Sequence, residues 1–281
     1  MNRPLRPLRA GRFELPLDRV LVMGIVNVTP DSFSDGGRLA TVAAAVGHAR
    51  RLLDEGADIL DIGGESTRPG AAEASLDEEL ERVLPVLEGL ADCGKPLSID
   101  TRKPEVMRHA IAAGVSMIND VAALRVPGAL DAAAGSEVAV CLMHMLGEPG
   151  TMQRAPVYAD VVGEVLAFLR DRVDACRAAR IDEARIAIDP GFGFGKTLEH
   201  NLTLLAHLGR LRALGLPIVA GLSRKGSLGV LTGRPVGERV HASVAAALAA
   251  VSRGATIVRV HDVAPTVDAL KVWQAVGRHA T

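Results

Sequence analysis

The chain has few cysteines, few aromatics, no long apolar run and almost no surplus charge. Its three cysteines, Cys93, Cys141 and Cys176, are odd in number and far apart, which excludes a disulfide framework and shows no metal-ligand spacing. A reducing cytoplasm is the compartment that fits this usage. The longest apolar run, Val244 to Val251, is alanine-rich and only about two helical turns long, too short to cross a bilayer. A formal net charge of −1 leaves no global field to draw in nucleic acid or a membrane surface. Basic residues Arg3 and Arg6 are followed by no apolar segment, so no secretory signal is expected. No Ser/His/Asp or Cys/His constellation stands out, which turns attention away from an activated protein nucleophile.

What the chain does have is length and a repeat. Its 281 residues, 48% hydrophobic and 23% charged, suffice for one large α/β domain or two small ones. Residues Leu5 to Leu17 hold two short apolar-polar patches around Ala10-Gly11, which reads as a small hairpin preceding the main domain. From Val20 onward, short runs rich in Val and Ile end at a polar residue and give way to segments of roughly helical period. The strand-like runs are Val20 to Val26, Ile59 to Ile62, Pro96 to Ile99, Ser116 to Ile118, Val138 to Met143, Arg185 to Ile188, Pro217 to Leu222 and Thr256 to Val260. Helical patterns cover about Val42 to Glu55, Leu76 to Leu90, Pro104 to Ala113, Tyr158 to Arg180, Leu198 to Leu214 and the C-terminal stretch. A count of eight runs without a linker-like break predicts a single-domain (β/α)8 TIM barrel over 20–281, with a hairpin extension over 1–19. The alternative is an open, doubly wound sheet, which the near-equal repeat disfavours.

In such a barrel the C-terminal strand ends form the active-site mouth. The residues ending the runs are Asn27, Asp61, Asp100, Asn119, His144, Asp189, Lys225 and His261, a mixed acidic, amide and basic set. Asp100, Asn119 and Asp189 suit a flat heterocycle that presents N–H donors beside acceptors; a general acid/base pair or metal ligands are the other uses of two carboxylates. Arg259 and His261 stand two apart in a strand pattern and so face the same way. Burying Arg259 without a partner would be costly, which favours an anion-binding role after the last strand. Lys225 pairs with Asp189 or Asp100, or binds the ligand directly. The stretch Asp61 to Gly70, with Thr67, Arg68 and Pro69 among glycines, is either an ordinary strand-to-helix loop or a loop for a phosphorylated substrate. Asp189 to Thr197 invites a nucleotide-loop reading and fails it, because Pro190 stands where the first Walker glycine belongs. Phe192 and Phe194 are two of only five phenylalanines, and in a glycine loop they read as ligand-packing groups.

With these residues assembled, the sequence resembles the dihydropteroate synthase family from Val22 to Asp262. The resemblance runs through Met23 to Gly37, Asp61 to Gly70, Ser98 to Thr101, Ile118 to Asp120, Met143 to Met145, Asp189 to Lys196, Ser223 to Lys225 and Arg259 to His261. It implies condensation of 6-hydroxymethyl-7,8-dihydropterin diphosphate with p-aminobenzoate, by diphosphate loss followed by amine attack. It implies pterin binding by Asp100, Asn119, Asp189 and Lys225, with Met143 packing on the ring, and a Mg2+ ion on Asn27. Thr67, Arg259 and His261 match diphosphate contacts, with Arg68 close by. Phe33, Pro69 and Phe194 match walls of the p-aminobenzoate pocket, where sulfonamides compete. Asp100, Lys225, Arg259 and His261 carry the catalytic roles in this expectation. A cytoplasmic homodimer assembled through outer helices is also implied. Gly226 departs from the family pattern, which often has Ser after the lysine, and Leu146 stands where a polar residue is common. Two other readings stand beside it: a corrinoid-linked methyltetrahydrofolate methyltransferase, and a pterin-binding paralogue without synthase activity.

Overall fold

A computed structural model describes residues 5–28, 37–66, 73–148 and 150–279 of the chain. Strands β1 (Leu8–Ala10) and β2 (Phe13–Leu15) form an antiparallel hairpin turning at Gly11. Eight parallel strands follow: β3 (Leu21–Asn27), β4 (Ile59–Gly63), β5 (Leu97–Asp100), β6 (Met117–Asp120), β7 (Ala139–Met143), β8 (Ile186–Asp189), β9 (Val219–Ala220) and β10 (Ile257–Val260). Consecutive strands pair from β3 to β8, and β10 lies between β3 and β9. A parallel bridge between Ile188 and Ile218 joins the two edges and closes the ring. The barrel and its N-terminal hairpin are those the sequence predicts.

The helices covering the barrel are α1 (Gly37–Asp54), α2 (Leu76–Gly89), α3 (Pro104–Ala112), α4 (Ala129–Ala134), α5 (Val161–Ala178), α6 (Leu198–Ala206), α7 (Gly226–Thr232), α8 (Val240–Val251) and α9 (Val263–Arg278). Their starts follow local chemistry. Ser75 and Glu78 form a reciprocal capping box at the head of α2. Pro104 occupies the first turn of α3, where a missing N–H costs nothing, and the Asp160 carboxylate accepts from Val162 N and Gly163 N at the head of α5. The helix expected from Leu198 to Leu214 instead splits into α6 and a 3-10 segment, Leu208–Leu214. The break falls just before Gly209, a poor helix former. Helix α4 was not expected, since six mostly alanine residues are too short to display a period.

Side chains alternate across each strand. One set, including Val22, Leu60, Ile62, Ile99, Ile118, Val140, Ile188 and Val258, faces the helices and forms the large outer core. The other set faces inward. Its lower level is Leu21, Met23, Ile59, Met117, Ala139, Cys141, Ala187, Val219 and Ile257, and hairpin residues Leu8, Ala10 and Leu15 plug that end. Burying each large aliphatic side chain there contributes about 1.5–3 kcal/mol, so the barrel floor is a packed core closed from below.

Candidate active site

Two residues further along the same strands, the inward positions turn polar: Asp61 above Ile59, Asn119 above Met117, Asp189 above Ala187 and Arg259 above Ile257, with Asp100 above Ser98 on β5. The register sets them at neighbouring levels, with Asn27 opposite Gly63, Gly63 opposite Asp100 and Asp100 opposite Asn119. Asp100, Asn119, Met143, Asp189, Phe194, Lys225 and Arg259 line one cavity at this end, together with Val121, Gly191, Phe192 and Gly221. Seven of the expected site residues thus share the cavity, four of them (Asp100, Asn119, Asp189 and Lys225) from the strand-tip set. Thr67, Arg68, Pro69 and Phe33 lie outside the described residues.

Arg259 is the hub of the polar layer. Its Nε donates to Asp61 Oδ2 at 2.5 Å and its Nη2 to Asp100 Oδ2 at 2.6 Å. Asn119 Nδ2 donates to the same Asp61 oxygen at 3.0 Å. These bonds answer the cost of burying a guanidinium, and they make Asp61, one of the strand-end residues, an organiser of the site that positions other side chains. Asp61 is fully buried, and its Oδ1 has no hydrogen-bond partner among the described residues. The signal was present: a carboxylate between Leu60 and Ile62 interrupts an apolar run on its inward face.

Burial pushes the Asp100 carboxyl up to about 7 against the pull of Arg259, with Asp61 adding to the rise. Burial also raises Asp189, whose Oδ1 accepts from Gly191 N at 2.7 Å. Lys225 is drawn down to about 8, first by burial and then by the charge of Arg259, with Asp189 and Asp100 opposing. Its Nζ stands 4.1 Å from the centroid of the Phe194 ring, a cation–π contact.

Arg224 holds Lys225 in place. Its backbone is left-handed (φ 57°), a conformation that costs a non-glycine residue about 1–2 kcal/mol. Ser243 Oγ accepts from Arg224 N, and the guanidinium makes a two-point pair with Asp262 at 3.0 and 2.6 Å. Nearby, Ser223 Oγ accepts from His261 N at 3.1 Å and lies 3.0 Å from His261 Nδ1. Burial and the charge of Arg259 push His261 down to about 3, so the ring is neutral at physiological pH.

His144 corrects the expectation that every run-ending residue turns toward the mouth. Met143 is the inward residue at the end of β7 and lines the cavity; His144, one position on, takes the opposite side. Its ring meets Phe168 edge-on at 4.9 Å, and its Nδ1 lies 2.9 Å from Lys196 Nζ. Lys196, passed over when the nucleotide-loop motif failed, is 3% exposed, and burial lowers its pKa to about 7.

Asn27 ends β3 half-buried, and its amide oxygen and the Asp100 side chain each come within 4 Å of where a Cβ on Gly63 would stand. Among the described residues no group of three His, Cys, Asp or Glu side chains gathers as a metal cage. Mg2+ does not require one, since it keeps several waters and takes one or two protein oxygens beside substrate phosphates. The hard amide oxygen of Asn27 fits that donor set.

The pterin binding enzyme family profile matches residues 23–261, from within β3 through β10. A dihydropteroate synthase of Neisseria meningitidis serogroup B is 56% identical over 276 residues, spanning 96% of this chain and 97% of the relative. The chain belongs to the dihydropteroate synthase family. Solved structures of dihydropteroate synthases agree in fold. That of Xanthomonas albilineans with 4-aminobenzoic acid is 62% identical with a TM-score of 0.89, covering 94% of this chain and 95% of the other. That of Burkholderia cenocepacia dihydropteroate synthase complexed with 7,8-dihydropteroate is 54% identical with a TM-score of 0.90, covering 98% of each. Among the described residues no helix is long and apolar enough to cross a membrane.

Proposed function

We propose that this chain is a transferase of folate biosynthesis that joins 6-hydroxymethyl-7,8-dihydropterin diphosphate to p-aminobenzoate, giving 7,8-dihydropteroate and diphosphate. The observation that carries the reading is the convergence of Asp100, Asn119, Asp189 and Lys225 on one cavity walled by Met143 and Phe194. Two carboxylates and an amide are complementary to the guanidine-like edge and ring N–H groups of a pterin. Asn119 commits its Nδ2 to Asp61, which leaves its carbonyl oxygen to accept from the ligand.

The arylamine is already a nucleophile, so the protein's task is to stabilise charge as the C–O bond to diphosphate breaks. Positive charge then spreads from the pterin methylene into the ring, and the Asp100 carboxylate balances it. Arg259 and neutral His261 receive the departing diphosphate. Asn27 would hold a Mg2+ ion, which would supply further positive charge beside the leaving group. Lys225 and Phe194 form the boundary of the arylamine subsite, where sulfonamides compete. The amine attacks the methylene carbon and loses a proton as the C–N bond forms. In this reading Thr67, Arg68, Pro69 and Phe33 serve to exclude water, which would otherwise capture the cation as an alcohol.

The same reading includes a homodimer in the cytoplasm. Val230 and Leu231 on α7 and Val236 beyond it are exposed apolar residues that such an assembly would cover. The deciding assay is diphosphate release from the pterin diphosphate, with and without p-aminobenzoate and Mg2+. Release that depends on both is expected. Release indifferent to p-aminobenzoate, or none under any condition, overturns the function.

A further inference from the structure

The glycine-rich segment between β8 and α6 is bare of bulky side chains apart from Phe192 and Phe194, yet both help line the cavity. Such a segment has no intrinsic reason to keep one shape. Many of its backbone groups are nonetheless tied by side chains. Lys196 Nζ donates to Gly191 O at 2.9 Å and to Phe194 O at 3.0 Å, and its third contact is His144 Nδ1 at 2.9 Å. Gln153 Nε2 donates to Gly193 O, the Tyr158 hydroxyl donates to Gly195 O, and Gly193 N donates to Asn201 Oδ1.

The three contacts of Lys196 match the three N–H bonds of an ammonium, and none of the three partners is an anion. A buried cation whose bonds go to loop carbonyls and an imidazole serves geometry rather than charge pairing. With Nδ1 accepting, His144 is the neutral tautomer protonated on Nε2, and its ring is fixed by Phe168. Gly191 completes the clasp. Its φ is +69°, and a Cβ there would stand 1.8 Å from His144 O, so only glycine brings this segment against β7. Phe194 in turn carries the Lys225 ammonium on its ring.

We infer that Lys196, seated on His144, is a positioning residue that holds Phe194, the wall of the arylamine subsite, so that the Lys196–His144 pair governs the affinity for the arylamine more than that for the pterin. This deepens the function proposed above and rests on it. Lys196 does not line the cavity; Asp100 and Asn119 are held by Arg259 and Asp61, and of the pterin-facing strand residues only Asp189 meets the clasp, through Gly191 N, so most of the pterin half of the site is anchored independently of it.

The test is Lys196→Met, which keeps most of the volume and removes all three donors. Steady-state KM for p-aminobenzoate is measured at saturating pterin diphosphate, and the Kd for pterin diphosphate is measured separately by calorimetry. Loss of charged hydrogen bonds of this kind predicts a rise of about tenfold or more in KM for p-aminobenzoate, with Kd for the pterin held within about twofold. An unchanged arylamine KM overturns the inference. So does an equal loss for both substrates, because that is the signature of general loosening. Should Lys196→Met fail to fold, His144→Leu removes one acceptor while keeping bulk. It is expected to raise the arylamine KM about threefold with the pterin Kd unmoved, and an unmoved KM overturns the inference. Wild-type protein that binds pterin diphosphate but makes no dihydropteroate removes the proposed function, and the inference falls with it; active wild type with a silent Lys196→Met removes the inference alone.

Discussion

Arg259 Nη2 lies 2.6 Å from Asp100 Oδ2, across the barrel from a strand that is not its neighbour in the sheet. The pair ties the strand before the last helix to the strand before α3, and it sets two roles against each other. Asp100 must answer a cationic ring while Arg259 must face an anionic leaving group. The position of this pair defines where charge is separated during the proposed reaction.

Replacing Asp100 by Asn keeps shape and hydrogen-bonding capacity but removes the negative charge. A loss of about a hundredfold or more in kcat is expected, the scale on which a group aimed at developing charge contributes. Far-ultraviolet circular dichroism should be unchanged. An unaltered kcat would refute the charge-balancing role.

The pH profile follows from two shifted groups. Asp100, raised to about 7, is the effective anion above that pH; Lys225, lowered to about 8, is a cation only below it. The product of the two states is greatest between those values, so kcat/KM should rise through an acid limb and fall through an alkaline one. These groups interact, so the measured limbs belong to the set rather than to single residues. Lys225→Gln should lose activity and flatten the alkaline limb. An alkaline limb retained in that variant would reassign it.

The hairpin plug is a stability element distant from the mouth. Leu8 is 1% exposed and belongs to the floor cluster. Leu8→Ala should lower stability by about 2–5 kcal/mol, read by chemical denaturation, while KM for both substrates stays at the wild-type value. A changed KM would show that the floor and the mouth are coupled.

Gly226 begins α7 beside Lys225, and nothing lies within 4 Å of a Cβ built there. Gly226→Ser should therefore fold without strain, and it restores the hydroxyl that family members often carry. A severalfold lower KM for p-aminobenzoate is expected, as one added hydrogen bond to a carboxylate would give. No change would mean that backbone N–H groups at the helix start already hold that carboxylate.

The barrel was readable because Val- and Ile-rich runs mark buried parallel strands, and each run ended in a residue too polar to continue a core. Asp100, Asn119 and Asp189 were readable for the same reason. His144 was misplaced because the end of a run does not disclose which face its last residue takes; only the register with Cys141 and Met143 does so. Asp61 was undervalued because its partner, Arg259, lies 198 positions away in sequence. Lys196 left no local sign beyond a failed motif, since its work is done through backbone carbonyls. The short β9 emerged from a longer apolar run, Pro217 to Leu222, of which the ladder uses only Val219 and Ala220.

The two-residue spacing between floor and polar layer has a genetic consequence. Substitutions at the upper level can alter what the barrel recognises while the level beneath keeps it folded, so ligand choice and foldedness can drift independently. A one-codon insertion or deletion inside an inner strand breaks that independence, because it turns the polar side chain of that strand toward the helices and an aliphatic chain toward the ligand. Point changes in β4, β5, β6, β8 and β10 should be far better tolerated by a growing cell than single-residue indels in the same strands.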